Sequence, residues 1–130
     1  MRWLVDGMNL IGSRPDGWWR DRAGARRRTV DQLAAFGRRP DVEGVAVVFD
    51  GHDRADEVAG GRAAGVDVSF APGGPDAADR VIAAIAGRAV DPAGITVVTS
   101  DAGLVSQVRS AGVKVMGAAA FRRLMDQAPA

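Results

Sequence analysis

Apolar residues fall along this chain in two rhythms. In the first, nearly every position is apolar: Arg2-Trp3-Leu4-Val5, Val45-Ala46-Val47-Val48-Phe49 and Ile95-Thr96-Val97-Val98. Runs of this length, ended by Asp or Gly, predict strands buried on both faces of a sheet. Val66–Phe70 alternates apolar and polar and predicts another strand, and Val113-Lys114-Val115-Met116 a fifth. In the second rhythm apolar residues recur every three or four positions. Ala25–Gly37 places Val30, Leu33, Ala34 and Phe36 at helical spacing, with Gly37 as its stop. Asp76–Ala89 sets Val81, Ile82 and Ile85 on one face, and Leu104, Val105 and Val108 mark a helix stopping near Ala111-Gly112. Ala118–Met125 predicts a last helix, and Arg54–Ala64 a short one weakened by Gly60-Gly61. Residues 12–24, with Gly12, Pro15, Gly17 and Gly24, read as a loop, as do residues 71–75.

Strand and helix alternating at this spacing predict an α/β domain: a mostly parallel five-stranded sheet with helices on both faces and right-handed crossovers. A chain of 130 residues holds one such domain, here residues 1–126. Residues 127–130 are expected to fray. No internal repeat or linker interrupts the pattern.

Composition then narrows the chemistry. The absence of cysteine excludes disulfides, zinc–thiolate sites, iron–sulfur clusters and thiol nucleophiles. The single histidine, His52, leaves little scope for a His-rich metal site or a Ser-His-Asp triad. No run approaches the roughly 18 apolar residues of a membrane span, and no secretory signal pattern opens the chain. The expectation is a cytoplasmic protein without membrane contact.

The formal charge of +1 speaks against a polyanion partner until it is divided along the chain. Residues 14–39 hold eight Arg and three Asp, a net of +5; residues 40–130 hold eight basic and twelve acidic residues, a net of −4. A basic segment on an acidic body suggests contact with a polyanion; its plainer reading is a solvated Arg-rich face. Sixteen of the seventeen basic residues are Arg, Lys114 being the exception, which a G+C-rich coding sequence would also produce. The positions of the Arg residues therefore carry more weight than the choice of Arg over Lys.

Three of the predicted strands run into aspartate: Leu4-Val5-Asp6, Val48-Phe49-Asp50 and Thr99-Ser100-Asp101. In an open parallel sheet, function collects in the crevice beyond the carboxyl ends of the strands. Asp76 and Asp79, at the start of the helix after Pro75, add two more acidic groups. The glycines of Asp6-Gly7 and Asp50-Gly51 would let a ligand approach the backbone. Clustered carboxylates raise one another's pKa, a conflict that a divalent cation removes. Mg²⁺ or Mn²⁺ prefers such oxygen ligands and promotes hydrolysis of phosphate esters. Taken singly, each aspartate reads equally as a turn or a helix cap; three strand ends and a helix start together are harder to explain so. No nucleotide-cradling glycine loop is present, and neither Asp6-Gly7-Met8 nor Asp50-Gly51-His52 has the second Asp of an aspartyl-phosphate phosphatase. His52 itself reads as a phosphate contact or as an ordinary surface residue beside a turn.

These segments resemble, in order, the motifs of a known family. Val5-Asp6-Gly7-Met8-Asn9-Leu10-Ile11 is similar to the opening signature of NYN domains, a branch of the PIN-like ribonucleases. Val47-Val48-Phe49-Asp50-Gly51-His52 resembles their second-strand motif. The stretch from Pro72 to Ile82, with Asp76-Ala77-Ala78-Asp79, resembles the Glu-Thr-Ala-Asp helix start of the YacP-like subgroup. Val97-Val98-Thr99-Ser100-Asp101 resembles its Thr-Ser-Asp motif, and Ala118-Ala119-Ala120-Phe121 its closing Ser-Ala-x-Glu-Phe helix. The resemblance implies a three-layer PIN-like, Rossmannoid domain with a Mg²⁺- or Mn²⁺-dependent endoribonuclease site. Carried over residue by residue, it makes Asp6, Asp50, Asp79 and Asp101 the acidic catalytic and metal site. Asn9 then orders the first loop or contacts substrate, and Thr99 or Ser100 supports the fourth strand end. Two positions depart from the pattern: Asp76 replaces a longer Glu at a metal contact, and Ala120 stands where the closing motif has Glu.

The basic segment supplies the rest. Arg14, Trp18, Trp19, Arg20, Arg22 and Arg26–Arg28 follow directly on Asn9. Aromatics interleaved with Arg suit single-stranded nucleic acid, through base stacking and guanidinium–phosphate contacts, while one of the two Trp is expected to pack beneath the loop. The reading that results is a metal-dependent endoribonuclease acting on single-stranded RNA. Its rivals are a non-catalytic RNA- or ribosome-associated module of the same fold, and a small-substrate phosphatase.

Overall fold

A computed structural model describes residues 1–51 and 61–128. Six strands form one sheet: β1 (Arg2–Asp6), β2 (Gly44–Asp50), β3 (Gly61–Ala63), β4 (Val66–Ala71), β5 (Ile95–Val98) and β6 (Lys114–Met116). Their order is β3-β4-β2-β1-β5-β6. Five are parallel, as the sequence predicts; β3 is a short antiparallel edge on β4. It falls inside the predicted helix Arg54–Ala64, so residues 61–63 correct that reading, and residues 54–60 lie outside the described ones.

Five α-helices among the described residues cover the sheet: α1 (Gly7–Gly12), α2 (Arg22–Gly37), α3 (Ala77–Gly87), α4 (Ala102–Ser110) and α5 (Ala118–Asp126). Side chains alternate across each strand, so Val5, Val47, Phe49 and Val98 join one core with Leu10, Leu33, Phe36 and Phe121 of α1, α2 and α5. Leu4, Val48 and Val97 join a second with Ile82, Leu104 and Val108 of α3 and α4. The result is the three-layer arrangement. Among the described residues no helix is long and apolar enough to cross a membrane.

Two helix boundaries differ from the sequence reading. Helix α2 begins at Arg22 rather than Ala25, because Asp21 caps it by accepting from the Gly24 amide at 2.9 Å. A Cβ on Gly24 would collide with the Asp21 carboxylate, so the glycine that looks like a loop signal belongs to the cap. Helix α3 spans Ala77–Gly87, inside the predicted Asp76–Ala89.

The short α1 escapes the sequence reading altogether. Asp6-Gly7 there is not a turn but the start of a helix that buries Leu10 and Ile11. A Cβ at Gly7 would stand 2.5 Å from the Phe49 ring, so the glycine lets α1 pack on β2 rather than clearing space for a ligand. Gly51, by contrast, turns the chain at φ 108°.

At the far end of the domain, Arg39 donates to the carbonyls of Leu124, Met125 and Gln127, holding the last turn of α5 and the residue after it.

Candidate acidic site

Strand β1 pairs with both β2 and β5. The chain builds outward from β1 to β2 and β4, then crosses back to β5 and β6, which makes the crevice beside β1 the switch point of the sheet. Asp6 ends β1, Asp50 ends β2, and Thr99-Ser100-Asp101 follows β5. Parallel pairing thus carries three of the predicted aspartates to one edge.

Asp6 is buried, 5% exposed, and its carboxylate accepts from the Thr99 hydroxyl at 2.9 Å. Burial raises its pKa to about 6; the Asp79 and Asp50 charges add to the rise, while Thr99 and the Asn9 backbone amide oppose it. Asp79 is also raised, first by burial, then by Asp101, Asp76 and Asp50, with Arg80 pulling the other way. These mutual repulsions tie all five predicted carboxylates into one electrostatic unit.

Each strand-end aspartate also has a structural role. Asp50 accepts from the Ala78 amide at 3.0 Å and so serves the N-terminus of α3, a favourable place for negative charge. Asp101 caps its own helix, α4, accepting from the Leu104 amide at 3.0 Å. Asp76 occupies the cap position of α3 in the left-handed region at φ 66° but makes no capping bond. The capping and site roles coexist because each bond engages one carboxylate oxygen. The second oxygens of Asp50 and Asp101 have no partner among the described residues.

A hydrogen-bond chain fixes the site's walls. The Asn9 side-chain carbonyl accepts from the Ser100 amide at 2.8 Å, so Asn9, which lies in α1 rather than in a loop, ties that helix to the segment after β5. The Ser100 hydroxyl accepts from the Ala118 amide at 2.9 Å and caps α5, while Thr99 Oγ1 also accepts from the Asp101 amide at 3.2 Å. His52 lies outside the described residues.

The basic segment divides between surface and core. Arg14 pairs with Asp126 at 2.9 Å. Trp18 packs against the core beneath the loop with Arg22 over its ring at 5.4 Å. Trp19 is half exposed, edge-on to Trp18, with Arg20 at 5.9 Å from its ring. One residue with evident chemistry escaped the sequence reading: Arg122, buried in α5. Its signal was an arginine at the inward spacing set by Ala118 and Phe121.

The donor set fits a hard divalent cation in kind, being oxygen throughout. The carboxylates' repulsion is the conflict such an ion relieves. As they stand, no three acidic or histidine side chains among the described residues are gathered tightly enough to ligate one ion.

A switch-point sheet with an acidic edge of this kind defines a PIN-like domain. The chain belongs to the YacP-like NYN domain family, which it matches over residues 3–130. The family is ribonuclease-like and its members act on RNA. The crystal structure of Rae1 (YacP) from Bacillus subtilis in its W164L form is similar, with a TM-score of 0.76 and 26% identity over 96% of this chain and 74% of that one. A second structure of Rae1 (YacP) from the same organism gives a TM-score of 0.68 and 23% identity, over 97% and 74%. No curated protein matches the chain.

Proposed function

We propose that this chain is a metal-dependent endoribonuclease acting on single-stranded RNA. The observation that carries the reading is the buried Asp6, its pKa lifted toward 6 beside Asp79 and Asp50 at the sheet's switch point. A sheet edge that desolvates one carboxylate near others suits a cation and the phosphate it attracts. Asp6, Asp50, Asp79 and Asp101 would hold Mg²⁺ or Mn²⁺, with Asp76 as a further contact. The bound ion supplies charge neutralisation at the scissile phosphate and acidifies a water.

The chain's own residues do the rest. Thr99 orients Asp6, and Asn9 and Ser100 hold the loops that border the cluster. The Thr99 and Ser100 hydroxyls are occupied by Asp6 and by the α5 cap, which favours direct attack by water over a covalent enzyme intermediate. Trp19 and Arg20 offer a stacking and phosphate surface for a single strand.

The test is cleavage of single-stranded RNA with and without Mn²⁺, comparing the parent chain with Asp6→Asn and Asp101→Asn. Metal-dependent cleavage lost in both variants is expected; unchanged cleavage in both would sink the assignment. The dispersed carboxylates favour one rival, a non-catalytic RNA- or ribosome-binding module of the same fold. It predicts salt-sensitive RNA binding without cleavage, surviving Asp6→Asn and needing no metal.

A further inference from the structure

On the α1/α2/α5 face of the sheet lies a small open pocket of about 30 Å³ whose walls include Arg14, Arg28, Arg122, Asp16, Trp18 and Thr29. None of the acidic-site carboxylates lines it. Arg122 is 8% exposed, yet no carboxylate pairs with it among the described residues. Its Nε donates to the Ser13 hydroxyl at 2.7 Å and to the Leu10 carbonyl at 3.2 Å, and its Nη2 donates to the same carbonyl at 2.7 Å. Those partners are neutral. Asp126, on its own helix, is taken by Arg14. The remaining guanidinium nitrogen, Nη1, has no protein acceptor among the described residues. It is not sealed from solvent either: among the described residues the only buried polar side-chain atom left without a partner is Trp3 Nε1.

A buried cation with neutral partners and one free edge is half of an ion pair. Burial and the nearby Arg14 lower the Arg122 pKa, while Asp16 and Asp126 act in the opposite sense without contact. Arg28, exposed and without an ion pair among the described residues, stands at the same pocket. Three guanidinium groups thus face one wall carboxylate, Asp16. A guanidinium presents a planar fork of donors that matches a phosphate's oxygens. Trp18, with Arg22 across its ring, borders the opening on the side of the exposed Trp19 and Arg20.

We propose that this pocket is a phosphate subsite, taking one phosphate group of an RNA strand between the buried Arg122 and Arg28. The proposal takes the identity of the strand from the ribonuclease reading, but the pocket itself stands without it. The phosphate is either an internal diester or the monoester at a 5′ end.

The test uses the full chain in EDTA, so that cleavage plays no part. Inorganic phosphate is titrated while the Arg122 Nε–H and Trp18 indole resonances are followed by NMR, with chloride at equal ionic strength as the control. Both resonances are expected to shift saturably with phosphate and not with chloride. Fluorescence anisotropy then compares short RNAs with 5′-phosphate and 5′-hydroxyl ends. Arg28→Gln, on the surface and safe for folding, and Arg122→Lys, which keeps the charge but loses the fork, are each expected to weaken binding roughly fivefold or more. Arg88→Gln, beside the opposite sheet edge near Arg2 and Ile95, serves as the single-charge control. A preference for the 5′-phosphate that Arg28→Gln removes assigns the pocket to the strand end; equal affinities, both weakened, assign it to an internal phosphate. Resonances unmoved by phosphate, or an Arg28→Gln effect no larger than that of Arg88→Gln, overturn the proposal. Cleavage that fails while phosphate still binds would count against the ribonuclease reading alone.

Discussion

Asp6 serves two opposed requirements. Its hydrogen bond from Thr99 favours the charged form, while burial and the neighbouring carboxylates disfavour it, and the second set wins. The sign for stability follows. The folded pKa, about 6, lies above the unfolded value of 3.8, so the folded state holds more protons between those limits. Asp6 therefore helps stability below about pH 4, and that contribution is lost as pH rises through 6. Asp6→Asn removes the charge but keeps an acceptor for Thr99. In EDTA, urea unfolding should find Asp6→Asn more stable than the parent at pH 7.5, by on the order of 1–3 kcal/mol, with the difference vanishing near pH 4. A parent at least as stable as the variant at pH 7.5 would contradict the raised pKa. The two tryptophans allow a second separation. Trp18 packs on the core and Trp19 does not. Trp18→Ala should lower the melting temperature, whereas Trp19→Ala should leave it nearly unchanged and weaken RNA binding by about 1–3 kcal/mol, the value of one stacked base.

Elements meet at this site through bonds that no local pattern announces. Ser100, in the loop after β5, caps α5, and Asp50, at the end of β2, serves the first turn of α3. Ser100→Ala should destabilise the domain by about 1 kcal/mol and loosen the start of α5, read as faster amide exchange near Ala118. Gly7→Ala should cost more, roughly 1–3 kcal/mol in a chemical melt, since its methyl group would meet the Phe49 ring at van der Waals overlap. A melt of Gly7→Ala matching the parent would mean that α1 can shift freely on β2. These contacts mark the limit of what the chain discloses by itself. The buried strands were legible because a parallel sheet covered on both faces requires continuous apolar runs. Their terminal aspartates were legible because the fold concentrates function at that edge. Helix α1 was not, since six residues carry too little periodicity and Asp6-Gly7 reads equally as a turn. Strand β3 was not, being three residues long and taking its register from β4. Arg122 was missed because arginines are ordinarily surface residues, and only the packing of α5 on α1 buries it.

For the whole molecule, the near-neutral total conceals a basic segment and an acidic edge, which the ribonuclease reading sets against different parts of an RNA strand. Without metal, the acidic edge weakens the fold as pH rises. The ribonuclease reading makes that same edge the ion's binding site, so the pH dependence should invert when the site is filled. At pH 7.5 Asp6 stands above its pKa of about 6 and is ionised; near pH 5 it must first release a proton, and affinity falls accordingly. Mn²⁺ at about one hundred times its dissociation constant would stabilise the folded state by roughly 2.7 kcal/mol, a rise in melting temperature of on the order of 10 °C for a domain of this size. The rise should be large at pH 7.5, small near pH 5, and strongly reduced in Asp6→Asn and Asp101→Asn, as read by thermal melts with Mn²⁺ and with EDTA. Equal shifts at both pH values, or in the variants and the parent alike, would move the ion elsewhere on the surface. They would leave the acidic edge with capping roles for Asp50 and Asp101, and only the hydrogen bonds from Thr99 and the Asn9 amide to offset the cost of burying Asp6.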